Sequence, residues 1–168
     1  IGLIASAKAK EVIGVELNRM AVKDAIANAK KNGITNAKFY AGDAGEFMER
    51  YAADGKRPDV VFMDPPRSGS TEQFINSLLI AAPKKVVYVS CNPETLVRDL
   101  KLITKGGYKV ERAVGVDQFP FTSHCETVIL LSRKTPDAII EIDLEMSELD
   151  LTRAESKATY KEIEEYVQ

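Results

Sequence analysis

The sequence predicts an α/β fold, a mostly parallel sheet closed by an antiparallel strand pair, and three observations predict it. Short β-branched runs alternate with helical segments four times between residues 12 and 104, and such alternation builds a parallel sheet covered by helices on both faces. Two further strand-like runs, 108–118 and 126–133, follow each other without an intervening helix, which makes them an antiparallel pair. The chain has 168 residues, 45% of them apolar and 29% charged, a balance that suits a folded domain and excludes disorder and collagen-like structure. It contains no uninterrupted apolar stretch of about 18 residues, so membrane spanning is excluded as well.

The elements follow in order. Residues 1–10 read as the middle of a helix, and the chain starts at Ile1 without a methionine. Residues 12–17 form the first β-branched run, and in 19–31 Met20, Ala21, Ile26, Ala27 and Ala29 suit a helix ended by Asn32-Gly33. The unit then repeats as a strand around Ala37, Phe39 and Tyr40 with a helix at 45–53, a strand at 59–63 with a helix at 71–82, and a strand at 85–89 with a helix at 93–104. Thr135-Pro136-Asp137 marks a turn, which sets a boundary between a body, residues 1–133, and an extension, residues 134–168. In the extension, 139–151 alternates apolar and acidic residues like a strand, and Thr152-x-x-Glu155 opens a helix as a capping box. Helical periodicity is still running at Gln168, so both ends read as cuts.

Charge divides the chain in the same place. From Lys134 onward there are 4 basic and 10 acidic residues, which leaves 19 basic and 15 acidic in the body. A mildly basic body is compatible with a polyanionic partner without demanding one. Two cysteines, Cys91 and Cys125, are too few for a disulfide framework, and with no signal-peptide grammar at the N-terminus the expected compartment is the cytoplasm.

Ligands of open α/β sheets sit beyond the carboxyl ends of the strands, and three acids stand there. Glu16 ends the first strand, Asp43 follows the second, and Asp64 ends the third. A carboxylate at such a position can accept hydrogen bonds from both ribose hydroxyls, so the series points to an adenosine-type cofactor. Asp43 equally suits a cap on the helix that follows it. Asp64-Pro65-Pro66-Arg67 is more specific, because two prolines after a strand fix the chain and remove donors, projecting Asp64 and Arg67 from a rigid turn. Related turns that end in an aromatic residue serve amine methylation, and Arg67 takes that place here, which argues against an amine target.

Ser90-Cys91-Asn92-Pro93 follows the fourth strand and sets a cysteine just before a helix. Backbone donors and the helix dipole at such a position favour a thiolate. A lone cysteine is more often a packed residue, but the neighbouring Asp64-Pro65-Pro66-Arg67 turn favours a nucleophile. Cys125 reads as a small packed hydrophobe and His124 as a loop-ordering residue; neither has the paired spacing of a metal site. Glu126, at the mouth of the last strand, is placed to act as a base.

Asp64-Pro65-Pro66-Arg67-Ser68-Gly69, 16 residues, and then Val86-Val87-Tyr88-Val89-Ser90-Cys91-Asn92-Pro93-Glu94-Thr95 resembles the signature of the RNA uracil-5-methyltransferases. Asp117-x-Phe119-Pro120-x-Thr122-x-His124-x-Glu126 resembles that family's second signature. Phe121 and Cys125 depart from it, since the family usually has a polar or hydrogen-bonding ring residue and a larger apolar residue at those places. The resemblance covers about residues 1–133. It implies the class I S-adenosylmethionine-dependent methyltransferase fold, Rossmann-like, with the first strand, its Gly-rich loop, a small RNA-binding β-barrel and any iron-sulfur cluster ligands lying upstream of Ile1. It further implies Cys91 as nucleophile, Glu126 as base, and Glu16, Asp43 and Asp64 at the cofactor or its border with the substrate. Arg67 and Ser90 are the candidates for orienting the pyrimidine. The implied activity is methylation of carbon 5 of uridine in RNA, ribosomal RNA favoured over transfer RNA, by a monomeric protein with no metal in this region. Residues 1–168 alone are expected to turn over poorly. Two alternatives stay open at this level: a nucleic-acid methyltransferase without a covalent step, and a non-catalytic interaction fragment.

Overall fold

Helices and strands alternate along residues 1–118, 120–122 and 125–134, the residues described by this computed structural model. The first helix, α1 (Gly2–Ala5), runs into a 3-10 turn at Ser6–Lys8. There follow β1 (Val12–Glu16), α2 (Arg19–Lys31), β2 (Ala37–Ala41), α3 (Ala44–Ala53), β3 (Val60–Met63) and α4 (Glu72–Ala81). The series closes with β4 (Lys85–Ser90), α5 (Pro93–Lys105), β5 (Tyr108–Val116) and β6 (Glu126–Arg133). The expected extension beyond residue 134, with its strand and helix, lies outside the described residues, as does His124.

Side-chain caps set the helix starts. Asn18, Asp43, Thr71 and Asn92 each accept a backbone N–H from the first turn of α2, α3, α4 and α5, satisfying donors that have no partner inside the helix. Thr71 is therefore a cap and not the first helical residue. At the other end of α4, Ala82 adopts a left-handed conformation with φ of 48°, so the helix stops at Ala81. The Asn32-Gly33 stop of α2 is made by Gly33 at φ of 66°. There the Ile34 N–H reaches the Ala29 carbonyl at 2.9 Å and the Gly33 N–H reaches that of Lys30 at 3.1 Å.

The parallel pairing and the antiparallel closure both stand as the sequence predicts, but the ladder is in two parts. β1 pairs with β2 in parallel, and a four-stranded sheet has the order β3-β4-β6-β5, parallel between β3 and β4 and antiparallel across β6. Among the described residues no strand bonds β1 to β3. The two parts meet through α3, which packs on β1 and on α4. The β5 strand ends at Val116, two residues short of the predicted run, and carries an extra residue at Glu111 where the register steps from Val110 to Arg112.

The core lies under the four-stranded sheet. Val61, Met63, Val86, Tyr88, Ile129 and Leu131 face Ile75 and Leu78 of α4 and Leu96 and Ile103 of α5 in one cluster. Alternate residues of β4, Val86, Tyr88 and Ser90, are buried, as the period of two of a strand requires. The β1–β2 part is thinner. There the Phe39 ring lies against Gly14, its register partner, at a distance where an added Cβ would come within 2.6 Å of the ring.

Candidate active site

The carboxyl ends of the parallel strands carry the predicted acids. Glu16 closes β1 exposed to solvent, and its Oε1 accepts the Asn18 N–H at 2.8 Å. Its backbone carbonyl accepts the Gly42 N–H at 3.0 Å, which ties the end of β1 to the end of β2. Asp43 is exposed, and its Oδ1 caps α3 through the Gly45 and Glu46 N–H groups at 2.8 and 3.0 Å. The capping alternative for Asp43 is therefore realised, at a strand end that also faces open space, since a Cβ on Gly42 would meet nothing within 4 Å. Asp64 follows β3 directly and is exposed.

The Asp64-Pro65-Pro66-Arg67 segment continues into a tight turn. The Gly69 N–H bonds the Pro66 carbonyl at 2.8 Å, and Gly69 holds φ of 80°. Glycine is required there twice over: the φ is left-handed, and a Cβ would stand 2.5 Å from Arg98 Nη2 and 2.8 Å from Asp99 Oδ2. The Arg67 side chain is exposed, whereas its carbonyl accepts hydrogen bonds from Asn92 Nδ2 at 3.0 Å and Thr95 Oγ1 at 3.2 Å.

Cys91 stands between β4 and α5 and is half-buried, outside the core cluster. Ser90 before it is buried, with 4% of its surface exposed; its Oγ donates to the Asn92 carbonyl at 3.0 Å and accepts the Asn92 N–H at 3.2 Å. Ser90 thus shapes the cysteine turn from inside. Asn92 caps α5 and Pro93 occupies its first turn. The antiparallel register between β4 and β6 ends at Ser90 opposite Thr127. Cys91 and the half-buried Glu126 each adjoin this last rung, one leaving β4 and the other opening β6. Directly opposed positions in an antiparallel ladder lie about 4.5–5.5 Å apart at Cα, so the Ser90–Thr127 rung brings the segments that carry Cys91 and Glu126 to the same end of the sheet. Cys125 is exposed, with its thiol directed at the Glu126 and Val116 carbonyls at 3.4 and 3.9 Å. Phe121 lies fully exposed at φ of 70° in the loop between β5 and β6. Among the described residues no group of three or more His, Cys, Asp or Glu is placed to hold a metal, and no helix is long and apolar enough to cross a membrane.

The sequence model of the family described as tRNA (uracil-5-)-methyltransferase matches residues 2–134. The chain belongs to this family. Among curated relatives, an uncharacterized RNA methyltransferase of Lactobacillus johnsonii is 50% identical over 133 residues, covering 79% of this chain and 30% of the relative. A second, from Enterococcus faecalis, is 49% identical, covering 79% and 29%. The chain thus spans about 30% of the length of the curated relatives it matches. Among solved structures, the Pyrococcus abyssi tRNA (uracil-54, C5)-methyltransferase in complex with S-adenosyl-L-homocysteine superposes with a TM-score of 0.68 at 33% identity, covering 77% of this chain and 31% of that one. An rRNA methylase from Streptococcus thermophilus superposes at 0.62 with 8% identity, covering 79% of each chain, and shows the fold alone. The fold is the Rossmann-like methyltransferase fold that the signatures imply.

In this member of the uracil-5-methyltransferase family one buried group escapes the motifs. Asp99 on α5 has no exposed surface, and its Oδ2 accepts the Tyr88 hydroxyl at 2.6 Å and the Ser70 N–H at 2.7 Å. Arg98 reaches its Oδ1 through Nε at 2.9 Å and Nη2 at 2.8 Å. A signal for it exists in the sequence, because Leu96, Asp99 and Ile103 follow the 3-4 spacing of a buried helix stripe. An acid on that stripe has to be paired. Burial, and next the Asp99 carboxylate, push the Tyr88 phenol well above its ordinary value of 10.0. The folded protein then keeps a proton that the unfolded chain loses, so this contribution to stability is complete below about pH 10 and is lost as pH rises further. Between about pH 9 and pH 11 the melting temperature of the natural protein is expected to fall more than that of a Tyr88→Phe variant; equal falls would refute the linkage.

Proposed function

We propose that residues 1–133 form the catalytic part of an enzyme that transfers a methyl group from S-adenosylmethionine to carbon 5 of a uridine in RNA through a covalent cysteine adduct, with 134–168 a separate acidic extension. The observation that supports this reading is the last rung of the β4–β6 register, Ser90 opposite Thr127, which Cys91 and Glu126 flank, with the Asp64–Arg67 turn tied to the cysteine turn through Asn92. Family membership supports the chemistry, and the 33% identical Pyrococcus enzyme supports both the uracil target and the cofactor.

The strand-end residues fit the cofactor. Glu16 and Asp43 are exposed carboxylates at adjacent strand ends, suited to ribose hydroxyls and an adenine amine, with open space over Gly42 between them. Asp64 stands at the next strand end, toward the substrate. When bound, S-adenosylmethionine supplies a methyl group electrophilic enough for a carbon nucleophile.

Carbon 5 of uracil is a poor nucleophile by itself. The Cys91 thiolate adds to carbon 6, and the electron pair of the 5,6 double bond moves into the ring as an enolate, which makes carbon 5 reactive toward the methyl group. Glu126 then takes the proton from carbon 5, the double bond re-forms, and the thiolate leaves. Arg67 offers its exposed guanidinium to a pyrimidine carbonyl, and Ser90 acts on the pyrimidine only through the turn it builds. Attack on the face of the base at carbon 6 requires an unstacked uridine, in a single-stranded loop or flipped from a helix.

The test uses the complete natural protein, methyl-labelled S-adenosylmethionine, and ribosomal and transfer RNA prepared separately from cells lacking the gene. Label is expected in 5-methyluridine after digestion, in the ribosomal fraction. Label in the transfer RNA fraction keeps the chemistry and moves the substrate to the class named for the Pyrococcus enzyme; label on an amine, or none in either fraction, overturns the assignment.

A further inference from the structure

The β3–β4 ladder ends at Met63 opposite Tyr88, so beyond that rung the segment after β3 and the cysteine turn after β4 are placed by other contacts. Those contacts come from α5. Asn92, Thr95 and the pair Arg98-Asp99 recur at intervals of three and four residues and share one helix face. Every one of them bonds the backbone of residues 67–70. Asn92 and Thr95 donate to the Arg67 carbonyl at 3.0 and 3.2 Å. Arg98 Nη2 donates to the Ser68 and Ser70 carbonyls, both at 3.0 Å, and Asp99 accepts the Ser70 N–H at 2.7 Å. The turn is pressed so closely on this face that Gly69 has no room for a Cβ against Arg98 and Asp99.

The same network reaches the cysteine from both sides. Asn92 adjoins Cys91, and Tyr88, whose hydroxyl bonds Asp99 at 2.6 Å, lies three residues before it on β4.

We propose that Arg98 and Asp99 are positioning residues, which with Asn92 and Thr95 clamp the 67–70 backbone to α5 and thereby fix Arg67 and Asp64 relative to the Cys91 sulfur. Neither touches substrate. Their effect on rate rests on the proposed uridine chemistry; their effect on the turn does not. Arg98 is central because one planar guanidinium serves Asp99 and two carbonyls at once, a geometry that an ammonium cannot reproduce.

The experiment compares Asp99→Asn and Arg98→Lys in the complete natural protein by hydrogen exchange and by steady-state methylation. Asparagine keeps the shape but sets an amide where either the Ser70 N–H and Tyr88 hydroxyl or the guanidinium requires an acceptor. Amide protection in residues 67–70 is expected to drop by about 10-fold or more in both variants, with β6 protection unchanged. The value of kcat should fall about 10- to 100-fold while KM for RNA stays within about threefold, the pattern of misplaced reacting groups. If Asp99→Asn does not fold, Arg98→Lys, whose side chain is 54% exposed, carries the test alone. Released protection with unchanged kcat, or a uniform loss of protection across the domain, would overturn the clamp. Failure of the covalent reading is distinguishable, because it shows as turnover without Cys91 and leaves the exchange result standing.

Discussion

Replacing Cys91 by alanine in the complete natural protein is expected to lower RNA methylation by roughly 10,000-fold or more, the scale on which losing a covalent nucleophile acts. The size of the effect follows from the inertness of carbon 5. Without addition at carbon 6 the ring has no enolate, and carbon 5 stays too poor in electrons to take the methyl group. The substitution is a clean test, because Cys91 is half-buried and lies outside the core cluster, so the melting temperature should change little. Methyl transfer from labelled S-adenosylmethionine to RNA is the measurement. Turnover near the natural rate would remove the covalent step and leave a methyltransferase that only binds its base.

Glu126→Gln acts at the other end of the same sequence of events. Glutamine fills the same space but cannot take a proton from carbon 5, so addition and methyl transfer proceed while elimination stalls. Turnover should fall by about 100- to 10,000-fold. A protein–RNA species that survives a denaturing gel should accumulate, and it should vanish when Cys91 is replaced as well. The two substitutions therefore differ in kind, one preventing the adduct and the other preserving it. Glu126→Gln enzyme that turns over slowly with no adduct at any time would exclude this residue as the base.

Much of this architecture is legible in the residues themselves. The β-branched runs and the capping residues give the strand-helix order nearly to the residue, because in this fold local propensity and tertiary position agree. The exact limits shift where a single conformation decides, as at Ala82, whose left-handed φ is not written in an alanine. The division of the ladder is not legible either, since a run of β-branched residues names a strand without naming its neighbours. At the site, the motif spacing marks Cys91 and Glu126, and only the β4–β6 register shows that they flank the same rung at one end of the ladder. Ser90 shows the limit of motif reading: adjacency to the cysteine suggests contact with substrate, whereas the alternation of β4 turns it inward. Asp99 is the reverse case. An acid in a polar helix resembles a surface residue until the stripe of Leu96 and Ile103 is traced through it.

The way the turn after β3 is held separates two demands that usually fall on one residue. Asn92 and Thr95 grip the Arg67 carbonyl, an atom that every amino acid possesses. Scaffolding at this point is thus indifferent to which side chain is displayed, and position 67 is free to change without altering these two bonds. Selectivity could drift here over evolutionary time without loosening the machinery that carries it.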